Sequence, residues 1–193
     1  MNCHERRIGG QRLPRRRPMR MPHFDYAWNA AYFVTICAAQ RRCLFGAVEN
    51  GVVQLSDIGQ IVDEAWSEVT AHRPGVMLDL WVVMPNHVHG IVVLPGSANP
   101  PGPHPMASDG PQQGSLGAVI GGFKSAASRE ARRGNLVPDG VLWQRGYYDR
   151  IIRNARELDA IRQYIADNPV RWADDPENPE RFEPESFGSI LQR

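Results

Sequence analysis

The stretch WVVMPNHVHGIVVL, Trp81 to Leu94, places two histidines one residue apart inside a long apolar run. Strand-forming residues dominate it, and side chains on a strand point alternately to its two faces. His87 and His89 therefore share one face of the predicted strand, and Val88 points to the other. Burying two imidazoles among valines costs free energy unless each ring finds a partner. A sheet that contains this strand must supply those partners.

Signals for strands and helices follow one another along the chain without the regular alternation of parallel α/β folds. Residues 32–39 read as a strand, Asn50-Gly51 predicts a hairpin turn, and an amphipathic helix starts at Ser56 or Asp57 and ends at Pro74-Gly75. Two strands then flank Met84-Pro85-Asn86, where the proline indicates a bend.

The second half of the chain adds a helix, a strand and a last helix. The helix is LGAVIGGFKSAASREARR, the strand VLWQRGYYDRIIR, and the last helix begins at Asn154 and ends before Pro169. This order predicts an α+β fold, an antiparallel sheet with helices packed on one face.

Composition sets outer limits on function. The chain has 193 residues with 42% hydrophobic and 22% charged content, which suits one globular domain with tails. No apolar run reaches the roughly 18 residues that a membrane span needs, and the N-terminus lacks the apolar core of a secretory signal. Cys3, Cys37 and Cys43 have no zinc-knuckle or disulfide spacing. We therefore expect a cytoplasmic protein without a membrane partner.

Charge and low-complexity segments predict the domain limits. Residues 1–24 form a basic arm, with seven arginines against one glutamate in the first twenty positions. Residues 25–172 form the domain, with a flexible Pro/Gly/Ser-rich loop at 95–115, and residues 173–193 form an acidic tail. An arginine-rich arm is typical of phosphate contacts with nucleic acid, although a solvated terminus gives the same composition.

A His-x-His pair on a strand is half of a metal site, because it presents two imidazoles on one face. Two structurally satisfied histidines are the alternative. Hydrolases of the His-x-His-x-Asp-His type require an aspartate and a histidine after Gly90, where this chain has Ile91 and Val92. Hydrolases with alternating histidines require a third one at position 91. Both classes are excluded.

The last helix offers further polar groups. Tyr164 and Asn168 are four residues apart and lie on one side of the helix, at the edge of its apolar stripe. Taken singly, each also reads as an ordinary boundary or helix-end residue.

Four stretches together, WVVMPNHVHGIVVLP, LGAVIGGFKSAASREA, LWQRGYYDRIIRN and YIADNPVRW, resemble the REP-associated tyrosine transposases. These are HUH-type relatives of the insertion-sequence transposases that move single-stranded DNA. The resemblance covers roughly residues 26–172 in the same order. It implies a ferredoxin-like antiparallel sheet. It also implies that His87, His89 and Asn168 hold Mg²⁺ or Mn²⁺ and that Tyr164 is the catalytic nucleophile.

The implied activity is metal-dependent single-strand DNA cleavage and strand transfer through a 5′-phosphotyrosine intermediate. The implied partner is single-stranded or hairpin DNA of repetitive palindromic sequence, bound by a monomer or a homodimer. A domesticated, non-cleaving hairpin-binding protein and a structural metal-binding domain are the alternatives. The candidate DNA-binding residues are Arg15, Arg16, Arg17, Lys124, Arg129, Arg150 and Arg153.

Overall fold

The computed structural model describes residues 30–95, 114–137 and 140–182. In chain order its strands and helices are β1 (Ala30–Cys37), β2 (Gly46–Glu49), β3 (Val52–Leu55), α1 (Asp57–Ser67), β4 (Met77–Val83), β5 (His87–Leu94), α2 (Leu116–Arg133), β6 (Tyr148–Ile152) and α3 (Ala155–Asp167).

The main sheet has four antiparallel strands in the order β4-β5-β1-β6, and β2 and β3 form a separate hairpin. The helix α1 connects β1 to β4, and α2 connects β5 to β6. In the sheet, β5 lies between β1 and β4, and β1 lies between β5 and β6. This is the ferredoxin-like arrangement of two split strand-helix-strand units. The predicted α+β fold with an antiparallel sheet is confirmed.

One face of the sheet carries the larger hydrophobic core. Alternate residues of β1 and β5, among them Val34 and Val88, point towards α1 and α2. At the centre, the Phe123 ring of α2 packs edge-on against Trp66 at 4.9 Å and also contacts Trp143 at 5.2 Å. Each of the two helices begins at a serine that accepts a hydrogen bond from the first turn, Ser56 for α1 and Ser115 for α2.

The opposite face carries a smaller core beneath α3. Phe33, Ile91, Ile152 and Ile165 form it. The sequence predicts the helices on one face, and α1 and α2 lie on one face as predicted. The third helix lies on the other face because the alternate positions of β1, β5 and β6 are also apolar there.

The predicted hairpin turn is present, whereas α1 and β6 are shorter than the sequence predicts. Asn50 and Gly51 both have positive φ, at 52° and 76°, as a two-residue hairpin turn requires, and the predicted hairpin is confirmed. The first helix ends at Ser67 and continues only as a short 3₁₀ turn, well before Pro74-Gly75. The last strand is shorter than predicted, since Trp143 makes only an isolated bridge with Ala38.

The predicted N-terminal arm at 1–24, most of the predicted loop at 95–115 and the end of the predicted tail lie outside the described residues. Within the part of the chain that the structure describes, no helix is both long enough and apolar enough to cross a membrane.

Gly90 lies in the middle of β5, where a Cβ atom would come within 2.5 Å of the buried Trp66 ring. We expect Gly90→Ala to lower the free energy of unfolding by about 1–3 kcal/mol through overpacking. Urea unfolding of the metal-free protein measures it. Gly121→Ala is the matched control, because a Cβ there meets open space and should stabilise α2 slightly. Equal stability of the two variants would contradict the packing described.

Candidate functional site

The two histidines lie on the sheet face that α3 only partly covers. Pro85 and Asn86 connect β4 to β5, and the Met84 amide donates to the His87 carbonyl across this turn at 2.8 Å. His87 is thus the first residue of β5, and His89 follows on the same face. Their ring centroids are 4.3 Å apart, and both side chains are buried.

A buried amide fixes the orientation of the His87 ring. Asn86 Nδ2 donates to the backbone carbonyls of Arg41 and Glu177, at 3.0 and 2.6 Å. The amide oxygen therefore faces His87 Nδ1, at 2.9 Å. An amide oxygen only accepts hydrogen bonds, so His87 Nδ1 carries the hydrogen and Nε2 presents its lone pair.

This Nε2 atom is buried and has no hydrogen-bond partner among the described residues. An unpaired buried acceptor costs about 1–3 kcal/mol, which a bound cation would offset. The orphaned nitrogen is the observation that best fits a metal at this site.

His89 is held between a hydroxyl and a phenol. Its Nδ1 lies 2.9 Å from Thr35 Oγ1 on the neighbouring strand β1, and its Nε2 lies 3.3 Å from the Tyr164 hydroxyl oxygen. Burial lowers the pKa of His89 to about 3. Burial also lowers the pKa of His87 well below its ordinary value, with further repulsion from His89 and Arg41. Both rings are therefore neutral at pH 7, the form that binds metals.

Tyr164 reaches the site from α3. The helix is attached by its apolar side to the smaller core and by Arg162, whose guanidinium donates to both oxygens of Asp79 on β4 at 2.9 and 2.6 Å. The Tyr164 side chain is 43% exposed and packs edge-on against Phe33 at 5.9 Å. The phenol is thus accessible from solvent while its ring is held against the sheet.

The surroundings of Tyr164 keep it protonated in the free protein. Partial burial raises its pKa, and the negative charge of Asp175 adds to the effect, whereas a hydrogen bond from Asn168 opposes it. Asn168 follows α3 directly and is 3% exposed, and its Oδ1 atom is buried without a partner in the described part of the chain. A second orphaned acceptor therefore lies one helical turn beyond Tyr164.

Sequence reasoning missed one residue at this centre. Asp175 is 5% exposed. One oxygen of its carboxylate, one ring nitrogen of His87 and one ring nitrogen of His89 all lie within 4.8 Å of one another. Such a buried group of two imidazoles and a carboxylate can hold a metal ion. Asp175 stands in an acidic run that reads as a solvated tail, so nothing in the sequence distinguishes it from its neighbours.

The segment that carries Asp175 is attached to the sheet beside the histidines. The Asp175 carboxylate accepts from the Glu177 amide at 2.6 Å, and Glu177 pairs with Arg41 at 3.1 Å. The Glu177 side chain also accepts from the Cys37 thiol at 3.6 Å. Burial, with help from the Glu177 charge, raises the pKa of Cys37 to about 12, so this cysteine stays a thiol in the metal-free protein.

The predicted DNA-binding residues are dispersed. Arg15, Arg16 and Arg17 lie outside the described residues. Lys124 and Arg129 belong to α2, on the sheet face opposite the histidines. Arg150 lies on the histidine face, where it bonds Glu157 of α3, and Arg153 is exposed at the start of the turn into that helix.

Lys124 has a role within the fold. Its ammonium donates to the carbonyls of Gln144 and Gly146, at 2.7 Å each, and lies 5.8 Å from the centre of the Trp143 ring. Burial lowers its pKa to about 8. Its contact with DNA stays a prediction, as do those of the arginines.

The depressed histidine pKa values predict how stability depends on pH in the metal-free protein. The unfolded chain takes up protons below about pH 6.5 but the folded chain does not, so the free energy of unfolding should fall as the pH falls from about 7 to 5. The slope is at most about 1.4 kcal/mol per pH unit for each histidine. Urea unfolding in EDTA measures it. His89→Gln should flatten the curve and the exposed His72→Asn should not; a curve that is already flat in the wild type would refute the burial of neutral rings.

Comparison with known proteins assigns this chain to a family and a fold. No protein-family model matches the chain. A Haemophilus influenzae protein described as "Uncharacterized protein" is 36% identical over 167 residues, which are 83% of this chain and 91% of that protein.

The solved structure described as "Structure of the REP associates tyrosine transposase bound to a REP hairpin" aligns with a TM-score of 0.55 and 21% identity. The alignment covers 82% of this chain and 81% of that one. The transposase fold that the motifs imply is confirmed, and the chain belongs to the family of the Haemophilus influenzae protein and has the fold of a REP-associated tyrosine transposase.

Proposed function

We propose that this protein is a metal-dependent single-strand DNA endonuclease and strand transferase, acting on hairpin-forming repeats through a 5′-phosphotyrosine intermediate. The observation that carries the proposal is the 3.3 Å contact between the Tyr164 hydroxyl and His89 Nε2, beside the orphaned Nε2 of His87. A partly exposed phenol thus lies beside two buried, neutral imidazoles. The fold it shares with a transposase solved on a REP hairpin supports the choice of hairpin DNA.

The ligand set fits a divalent cation. His87, His89, Asn168 and Asp175 would hold it through two imidazole nitrogens, an amide oxygen and a carboxylate oxygen. Such a set, without thiolate, suits Mn²⁺ and tolerates Mg²⁺ better than two imidazoles alone would. When bound, the cation would polarise the scissile phosphate and stabilise the charge that develops on it.

The residues of the chain supply positioning and the covalent bond. Phe33 and the α3 contacts hold the Tyr164 ring, so the phenol oxygen can be aligned with a phosphodiester. Attack on phosphorus forms the Tyr164 O–P bond and breaks the bond to the 3′ oxygen, which leaves as an alkoxide and takes up a proton from water to become a hydroxyl. The phenol proton departs to solvent on the exposed side of the ring. Attack by another 3′-hydroxyl reverses these steps and joins strands.

Tyr164→Phe tests the nucleophile directly. Labelled hairpins drawn from repeats near the gene are incubated with wild type or variant, in Mg²⁺, Mn²⁺ or EDTA, and denaturing gels are read for a protein–DNA adduct. We expect an adduct only with metal and only with Tyr164, whereas DNA affinity should change by less than about twofold, since only a hydroxyl is removed.

Two results would overturn the proposal in different ways. An adduct formed by Tyr164→Phe would identify another nucleophile. Tight hairpin binding by both proteins with no adduct in either would favour the domesticated, non-cleaving binder.

Asp175→Asn tests the ligand set without DNA. Removing the negative charge of Asp175 beside the two imidazoles should weaken Mn²⁺ binding at least about tenfold in calorimetric titration. Asp159→Asn is the matched control, because that carboxylate is exposed on the same side of the sheet and pairs only with Arg162 among the described residues. Wild-type Mn²⁺ affinity in the Asp175 variant would remove this residue from the site.

A further inference from the structure

An exposed aromatic ring lies on the histidine face near Tyr164. Among the described residues, Tyr148 and Tyr164 are the aromatic side chains left exposed, at 44% and 43%. Both pack against Phe33, whose ring centre is 6.5 Å from that of Tyr148 and 5.9 Å from that of Tyr164. Two exposed rings around one buried ring form an apolar patch on which a flat ligand can pack.

The neighbouring aromatic residues of the segment 143–148 do not share this exposure. Trp143 is buried between Phe45 and Phe123, and its indole donates to the Lys124 carbonyl. Tyr147 packs against the larger core, on the opposite face. Tyr148 alone of the three presents its ring on the histidine face.

The sheet register fixes how far Tyr148 lies from the candidate centre. Thr35 pairs with His89 on one side and with Tyr148 on the other, so the three residues form one row across β5, β1 and β6. Two strand spacings separate His89 from Tyr148, about 10 Å between backbones. A stacked nucleic-acid strand advances about 3.4 Å per nucleotide, so about three nucleotides cover this distance.

The charges around the ring favour a polyanion. Arg150 lies on the same face two residues along β6, where it pairs with Glu157, and the exposed Arg145 and Arg153 on either side of the strand leave the surroundings of the ring net positive. A flat ring flanked by arginines suits an unpaired base with its phosphates, because every base has a π-face and the cations can contact the backbone.

We propose that the Tyr148 ring is a stacking platform for an unpaired base within about three nucleotides of the phosphodiester that Tyr164 attacks. This inference rests on the proposed function, since it takes single-stranded DNA as the ligand. It assigns to β6 a base-binding position in addition to the metal and nucleophile positions on β5 and α3.

The test uses full-length protein carrying Tyr164→Phe, so that DNA is bound and not cleaved. The probes are hairpins from repeats near the gene with single-stranded extensions, each containing one 2-aminopurine, whose fluorescence is quenched when it stacks. Tyr148→Phe keeps the ring, and Tyr148→Leu keeps an apolar side chain on the strand without a ring. Affinity is read from anisotropy of the same probes.

We expect quenching at positions within about three nucleotides of the cleavage point, retained in Tyr148→Phe and lost in Tyr148→Leu, with affinity about tenfold weaker in the leucine variant. Equal quenching and affinity in the two variants would overturn the proposal, as would unchanged fluorescence at every position with the native ring. The positional scan uses the native Tyr148, so it can overturn the proposal even if the leucine variant folds poorly.

The adduct assay separates this inference from the function on which it rests. An adduct that depends on Tyr164, together with insensitivity to Tyr148, would leave the cleavage reaction standing and remove the base platform. Tyr148-dependent quenching without any adduct would leave the base platform on a non-cleaving DNA-binding protein.

Discussion

The alternation of side chains along β5 is the constraint on which the rest of the structure depends. Val88, Gly90 and Val92 turn towards α1 and α2, and His87 and His89 turn the other way. A shift of register by one residue would bury both imidazoles in the larger core and expose the valines. The close fit of Trp66 over Gly90 opposes that shift, because Gly90 is the one glycine of β5 and a Cβ atom there would come within 2.5 Å of the indole.

On the histidine face, hydrogen-bond partners fix the orientation of both imidazole rings. Asn86 and Thr35 each take up the Nδ1 side of one ring, so the Nε2 atoms of both are directed to the same region. Two neutral rings and a buried carboxylate, with ligand atoms within 4.8 Å of one another, would be costly to bury in the absence of a cation. Their closeness therefore favours a binding role for this cluster.

Much of this arrangement could be predicted from the sequence. The shared direction of His87 and His89 follows from strand periodicity alone, and the pairing of Tyr164 with Asn168 follows from helical periodicity. The roles of these residues came from the resemblance of the motifs, and those roles stay proposals. Patterns of this kind depend only on residues that are close in the sequence, which is why the sequence predicts them.

Contributions to the site and the fold that come from residues distant in the sequence could not be predicted. Asp175 reaches the histidines because its segment packs back on the sheet through Glu177, and an acidic run gives no sign of that return. The opposite placement of α3 likewise depends on apolar positions divided among β1, β5 and β6. The sequence predicts Lys124 as a surface cation, yet its ammonium donates to the backbone carbonyl of Gln144, twenty residues further along the chain.

The attachment of α3 to its own sheet has a consequence for how subunits can cooperate. Arg162 binds Asp79 of the edge strand, and the apolar side of the helix packs on Phe33 and Ile91. The phenol and the imidazoles of one centre thus come from a single polypeptide. An exchange of α3 between two copies of the chain would require this ion pair and this core to be taken apart first.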